Sequence, residues 1–167
     1  MPPDFTIRTF THQDYQNVAK LIEQLQNYEW QLHPSRALGN VIGNKHLAYL
    51  VKIVQQQNGQ IYVAESNQEI IGFIVCFVEE LEEGDLHIVE NERRYGYISD
   101  LYVSSEIRSN GVGAALMAMA EKHFLDLELE VVRLSLLYNN EAAASFYQRV
   151  GYQPYELVYE KKLRMLM

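Results

Sequence analysis

Apolar positions fall into alternating and helical stretches that follow one another without interruption. Phe5, Ile7 and Phe10 alternate with polar residues, which predicts a first strand with one buried face. Thr11 followed three residues later by Asp14 reads as a capping box. Val18, Leu21, Ile22 and Leu25 then recur at helical spacing, predicting a helix that ends near Tyr28. The stretch Tyr28–Pro34 reads as an aromatic-rich loop. Ser35 is in place to cap a second helical region carrying Leu47, Leu50, Val51 and Val54, although Gly39 and Gly43 argue against helix in its first half. Ile61–Ala64 and Ile70–Val78, separated by a polar turn from Ser66 to Glu69, predict a hairpin. Tyr97–Val103 reads as strand, Gly111–Leu125 as helix and Val131–Leu137 as strand. Such a crossover unit makes the two strands parallel, with a right-handed connection. A short helix over Asn140–Arg149 ends at Gly151, and Tyr155–Lys161 alternates like a last strand. The order predicts an α/β (α+β) fold: a mixed central sheet of roughly six or seven strands flanked by about four helices. No repeat, linker or shift of composition divides the chain, so residues 1–167 are expected to form one domain.

Composition narrows the classes of function. Twenty-two Asp and Glu against 14 Lys and Arg give a net charge of -8, which disfavours a general nucleic-acid binder and mildly favours a cationic partner. Glu79, Glu80, Glu82, Glu83, Asp85, Glu90 and Glu92 concentrate that charge, either as a solvated surface or as an attractor for a cationic substrate. The sole cysteine, Cys76, excludes an intramolecular disulfide and fits a reducing cytoplasm. Met1-Pro2-Pro3-Asp4 shows no basic stretch leading into an apolar segment, and no run is long and apolar enough to span a membrane. His12, His33, His46, His87 and His123 show no paired ligand spacing, so no metal is expected.

Chemistry is concentrated between the strand ending at Val103 and the helix beginning near Gly113. Arg108-Ser109-Asn110-Gly111-Val112-Gly113 leads directly into Ala114-Ala115-Leu116. The first amides of a helix lack internal partners and lie at the positive end of its dipole, so they can converge on a phosphate. Gly111 and Gly113 let backbone approach closely, and Arg108 adds a planar cation suited to a diphosphate. A P-loop would need Lys and Ser or Thr after the last glycine, where Ala114-Ala115 stand. A dinucleotide fingerprint would need Gly or Ala where Leu116 stands.

Leu101-Tyr102-Val103 before Arg108–Gly113, and Asn140, Ala143, Tyr147 and Gly151-Tyr152 after the next strand, form two motifs in fixed order. Over Tyr97–Tyr152 the sequence resembles the GNAT superfamily of acyl-CoA-dependent N-acetyltransferases. The resemblance implies acetyl-CoA as co-substrate and an amine as acceptor. Amides from Arg108 to Ala114 would take the pyrophosphate, and the backbone of Leu101–Val103 would pair with the pantetheine arm like an added strand. The Val103 amide would face the thioester oxygen, Asn140 would hydrogen-bond the cofactor near its pantetheine end, and Tyr147 would protonate the departing thiolate. Tyr28, Glu29, Trp30, Tyr95 and Tyr97 would wall the acceptor pocket. Many relatives carry a glutamate base in the segment where this chain reads Tyr97-Ile98-Ser99-Asp100. Ser99 cannot serve, which leaves a carboxylate such as Asp100, Glu79 or Glu80 reached through a chain of water, or an amine that sheds its proton unaided. It also leaves a second reading, a non-catalytic acyl-CoA-binding or regulatory module. Homodimers are common among such relatives, and Tyr155, Leu157 and Tyr159 offer either a pairing edge across an interface or a strand for the monomer's own sheet.

Overall fold

A computed structural model describes residues 4–164. Met1–Pro3, part of the opening considered above for a leader, lie outside the described residues. Five strands form one sheet in sequential order: β1 (Thr6–Thr9), β2 (Gln60–Ser66), β3 (Glu69–Glu80), β4 (Arg94–Val103) and β5 (Val132–Leu134). The first four are mutually antiparallel, and β5 runs parallel to β4 as the crossover predicted. Four helices flank them: α1 (Tyr15–Leu32), α2 (Gly39–Gln56), α3 (Val112–Asp126) and α4 (Glu141–Arg149).

The sheet is buried on both faces around β3, whose side chains alternate between two cores. Phe73, Val75 and Phe77 meet Val18 and Ile22 of α1 and Leu47 and Leu50 of α2. Ile74, Cys76 and Val78 meet Leu116, Met117, Ala120 and Phe124 of α3. This two-sided burial explains why Ile70–Val78 is a continuous apolar run rather than an alternating one. Asn67 and Gln68, both at positive φ, close the β2–β3 hairpin as a two-residue turn.

The junction from β1 to α1 follows the capping pattern. The Thr11 amide donates to Asp14 Oδ2 at 2.7 Å, and Arg8 holds the same carboxylate with two bonds of 2.8 Å. The Arg8 guanidinium keeps the Asp14 carboxyl at about 2, below its ordinary value and in spite of burial.

Three expectations are corrected. The sheet has five strands rather than six or seven, because Tyr155–Lys161 forms no strand. Alternation supplies a face, but a strand also needs a hydrogen-bonding edge, and β5 offers only three residues. Tyr155, Leu157 and Tyr159 are exposed instead. The first helix continues through Tyr28 to Leu32. Finally, Gly39 and Gly43 do not interrupt the second helix but let it close on the first. A Cβ at Gly39 would lie 2.2 Å from the Glu23 carbonyl oxygen, and one at Gly43 would lie 2.6 Å from Glu23 Cγ. No helix among the described residues is long and apolar enough to cross a membrane.

Candidate active site

The site originates in a mismatch along β4. Ile74 faces Leu101 and Cys76 faces Ile98, but Val75 faces Asp100, so Ser99 is an extra residue bulging from the strand. On its other side β4 pairs with β5 only from Gly96 to Ile98. Beyond the bulge the two strands part, and β4 presents an open edge from Ser99 to Val103. The Ser104 amide donates to Ile71 of β3 at 2.8 Å, so by the alternation of a strand the amides of Val103 and Leu101 point away from β3 toward that edge.

A cleft of about 560 Å³ runs along this edge. Leu25 and Tyr28 of α1, Leu101, Tyr102 and Val103 of β4, and Ala142, Ala143, Phe146 and Tyr147 of α4 form its walls. Arg108, Ser109, Gly111, Val112, Gly113 and Ala114 close one end, and Asn140 lies at the start of α4. The structure thus brings the residues nominated for the cofactor and the thiolate into one cleft, with the exception of Asn110. That side chain instead donates Nδ2 to the Ile107 carbonyl at 3.1 Å, bracing the turn from behind.

The turn has the geometry of an anion cradle. Gly111 caps α3 at φ 82°, a left-handed conformation natural to glycine, and Ser109 lies at φ 71°. The first helical bond runs from the Ala115 amide to the Gly111 carbonyl, so the amides of Val112, Gly113 and Ala114 have no partner within the helix. At Gly113 an added Cβ would come within 3.1 Å of the Phe146 ring, which is how closely α4 approaches here. Arg108 donates Nε to the Val103 carbonyl at 3.0 Å, and its guanidinium carbon is 5.1 Å from the centre of the Tyr102 ring. The arginine is therefore held against the strand end, with its two terminal nitrogens beyond that anchor.

Asn140 Oδ1 caps α4 by accepting from the Ala143 amide at 3.2 Å, which leaves its Nδ2 as donor. Tyr147 lies edge-on between Phe146 and Tyr152, at centroid distances of 5.2 Å and 6.1 Å. Burial first, and then the carboxylates of Asp100 and Glu29, push its hydroxyl up to about 12, so the phenol stays protonated at neutral pH.

A polar cluster beside the bulge joins Asp100, one of the candidate bases, to His46, to which the sequence assigned no role. His46 Nε2 of α2 lies 3.1 Å from Asp100 Oδ2, and Ser99 Oγ donates to Asp100 Oδ1 at 2.7 Å. Glu29 of α1 stands nearby, paired with Arg36 at 3.7 Å, its carboxyl raised mainly by burial. The hydrogen bond to Asp100 raises the His46 imidazole against the opposing effect of burial. A usable signal existed. His46 is three residues after Gly43 and four before Leu50, on the buried stripe of its helix.

The other nominated residues separate. Tyr28 lines the cleft and Glu29 approaches Asp100, but Trp30 is exposed, Tyr97 packs on Phe77 and Tyr95 lies under Arg133. Glu79 and Glu80 face Tyr95 and Arg94, and the five steps from Tyr95 to Asp100 correspond to about 16 Å of strand. Within the acidic tract Arg93 donates to the backbone carbonyls of Asp85 and Glu82, and Arg133 lies beside the Glu92 carboxylate. Among the described residues no three His, Cys, Asp or Glu side chains converge as metal ligands.

Comparison with known proteins agrees with this architecture. An uncharacterized N-acetyltransferase of Methanocaldococcus jannaschii is 25% identical over 112 residues, covering 66% of this chain and 46% of that protein. The N-alpha-acetyltransferase 30 of Schizosaccharomyces pombe is 30% identical over 98 residues, covering 59% of this chain and 60% of that protein. The chain thus spans about half to three fifths of the length of these relatives. Among solved structures, a Bacillus halodurans protein crystallised in mutant form superposes with a TM-score of 0.82 at 21% identity, covering 95% of this chain and 99% of the other. The aminoglycoside N-acetyltransferase AAC(6')-Iy in complex with CoA gives a TM-score of 0.73 at 17% identity, covering 99% and 98%. A model of the acetyltransferase (GNAT) family matches residues 18–152, from the first turn of α1 through the second motif, and the chain belongs to that family.

Proposed function

We propose that this protein transfers the acetyl group of acetyl-CoA to a primary amine of a small molecule or peptide by direct attack. The observation that carries the reading is the pairing of a partnerless-amide turn at Val112–Ala114 with an open strand edge at Leu101–Val103 in one cleft. The two features suit the two parts of one ligand. Amides from Arg108 to Ala114 and the terminal nitrogens of Arg108 take the pyrophosphate. The Leu101 and Val103 backbone receives the amide-bearing pantetheine arm as an added strand, and Asn140 Nδ2 donates to it from α4.

At the thioester the Val103 amide, facing the open edge, stabilises the oxyanion as the amine attacks the carbonyl carbon. The carbon–sulfur bond breaks, and Tyr147 gives its proton to the sulfur. Burial of that hydroxyl supports the role by keeping it protonated throughout the physiological range. Direct attack is favoured over an acyl-enzyme because the sole cysteine is buried among apolar side chains, which push its thiol up to about 12. An amine acceptor is in keeping with the N-alpha-acetyltransferase relative and with AAC(6')-Iy, which was also solved with a bisubstrate analogue of CoA and acetylneamine.

The test is thiol release from acetyl-CoA in the presence of amines, alongside titration with the cofactor. The reading expects amine-dependent release that Tyr147→Phe lowers while CoA affinity is retained. Cofactor binding without turnover of any amine would instead favour an acyl-CoA-binding regulatory module.

A further inference from the structure

Amine acetylation begins with a protonated acceptor, and the segment in which a base was sought offers Ser99, which cannot serve, and Asp100, whose carboxylate is already engaged by His46 and Ser99. We infer that His46, held by Asp100 across the β4 bulge, is the base that takes the proton from the acceptor amine. This inference rests on the acetyl-transfer reading above and supplies the group that reading lacks.

Geometry supports it in three ways. Asp100 immediately precedes Leu101, whose backbone borders the cleft, and Glu29 lies one helical turn beyond Leu25, another cleft residue. The His46–Asp100 pair therefore adjoins the end of the cleft away from the Gly111 turn, where the acceptor must enter. Second, the pair is oriented. A carboxylate only accepts, so the bond between His46 Nε2 and Asp100 Oδ2 requires the proton on Nε2 and leaves the lone pair on Nδ1 free. Ser99 fixes the other carboxylate oxygen, so the bulge that opens the strand edge also orients the base. Third, access is graded as a base and its orienting group require: the His46 side chain is 32% exposed and that of Asp100 10%. The arrangement parallels the orientation of a histidine base by a buried aspartate in acyl-transfer triads.

Protons balance as follows. His46 Nδ1 takes one proton from the acceptor ammonium, and the free amine forms the nitrogen–carbon bond. The second proton leaves nitrogen as the tetrahedral intermediate collapses and offsets the one Tyr147 gives to sulfur. His46 then releases its proton to solvent. Charged and titratable groups around the imidazole are Asp100 on β4, Glu29 on α1 with its partner Arg36, and Tyr49 on α2, whose ring stacks on the imidazole at 6.3 Å; Tyr147 on α4 feels the same two carboxylates. The two carboxylates raise the imidazole, so it gains basicity and remains the neutral base only above its ordinary range. Activity should consequently rise with pH through a transition above that of a free histidine.

The test combines kinetics with a direct reading of the imidazole. Spermidine, lysine methyl ester, an aminoglycoside and an N-terminally free peptide serve as probe acceptors, and the fastest is carried forward. His46→Gln, which can still hydrogen-bond Asp100 but cannot take a proton, should lower kcat/KM about 100-fold at pH 7 and abolish the rising limb. Its CoA affinity should stay within about twofold. Histidine NMR titration of the unliganded protein should find His46 above the ordinary value and shifted down in Asp100→Asn, with the kinetic limb moving the same way. A loss of less than about threefold in His46→Gln, an unchanged limb, or an imidazole indifferent to Asp100→Asn overturns the assignment while leaving acetyl transfer standing. A wild-type protein that acetylates none of the probes overturns the acetyl-transfer reading and the base with it.

Discussion

At the scale of single residues, the proposed chemistry asks one group, Tyr147, to hold a proton and another, His46, to exchange one. Tyr147 is enclosed by two aromatic rings and within reach of carboxylate fields, and its phenol is raised to about 12. Tyr147→Phe should lower kcat about 100-fold, with CoA affinity changed by less than about twofold in calorimetry. Because a raised phenol loses its proton only near pH 12, the wild type should show no fall in kcat from this group up to about pH 10. The place of Tyr147, Arg108 and Gly111 in the cleft was legible in the sequence because it depends on local spacing within a turn or a helix. His46 was not, since its partner is 54 positions away and only the tertiary fold brings the two side chains together. Asn110 lay inside the motif and yet turns its side chain to Ile107, because a motif fixes the backbone path and not where each side chain points.

At the scale of elements, two junctions carry consequences for stability. The α1–α2 contact depends on glycine, since a Cβ at Gly39 would meet the Glu23 backbone, which cannot step aside as a flexible side chain could. Gly39→Ala should destabilise by about 1–3 kcal/mol in denaturant unfolding, despite alanine's better helix propensity. The sequence misled here because helix propensity argued against glycine where tertiary packing required it. The β1–α1 junction rests on Asp14, whose carboxyl falls from its ordinary 3.8 to about 2 in the folded state. The direction fixes the sign. A depressed acid stabilises the fold fully above pH 4 and loses that contribution as pH falls toward 2. Asp14→Asn should cost roughly 1–2 kcal/mol at pH 7, allowing for the partial exposure of Arg8, and the deficit should shrink in acid unfolding between pH 4 and 2. This junction was visible in the sequence as the Thr11–Asp14 capping box, whereas Arg8, its strongest partner, was not.

At the scale of the whole molecule, function follows from a sheet that fails to close. Four strands pair along their length, but the fifth leaves its neighbour after Ile98, and the bulge at Ser99 turns β4 toward the gap. The order of elements along the chain, the β2–β3 hairpin and the parallel crossover were readable from hydrophobic periodicity and motif order. The end of β5 at Leu134 was not, because Val131–Leu137 is uniformly strand-like and only the divergence from β4 ends its pairing. The same divergence leaves Tyr155–Lys161 without a partner strand, so the alternation that predicted a final strand produces exposed side chains. The open edge and the amide turn make one elongated cleft, proposed above to hold acetyl-CoA. Calorimetric titration of wild type and Gly111→Asp with acetyl-CoA, with NADH as comparison, tests that proposal most directly. Micromolar binding of acetyl-CoA alone, lost in the variant because a carboxylate repels the pyrophosphate and the side chain strains the left-handed turn, is the predicted result. Failure of the wild type to bind acetyl-CoA, or undiminished binding by the variant, would contradict the account.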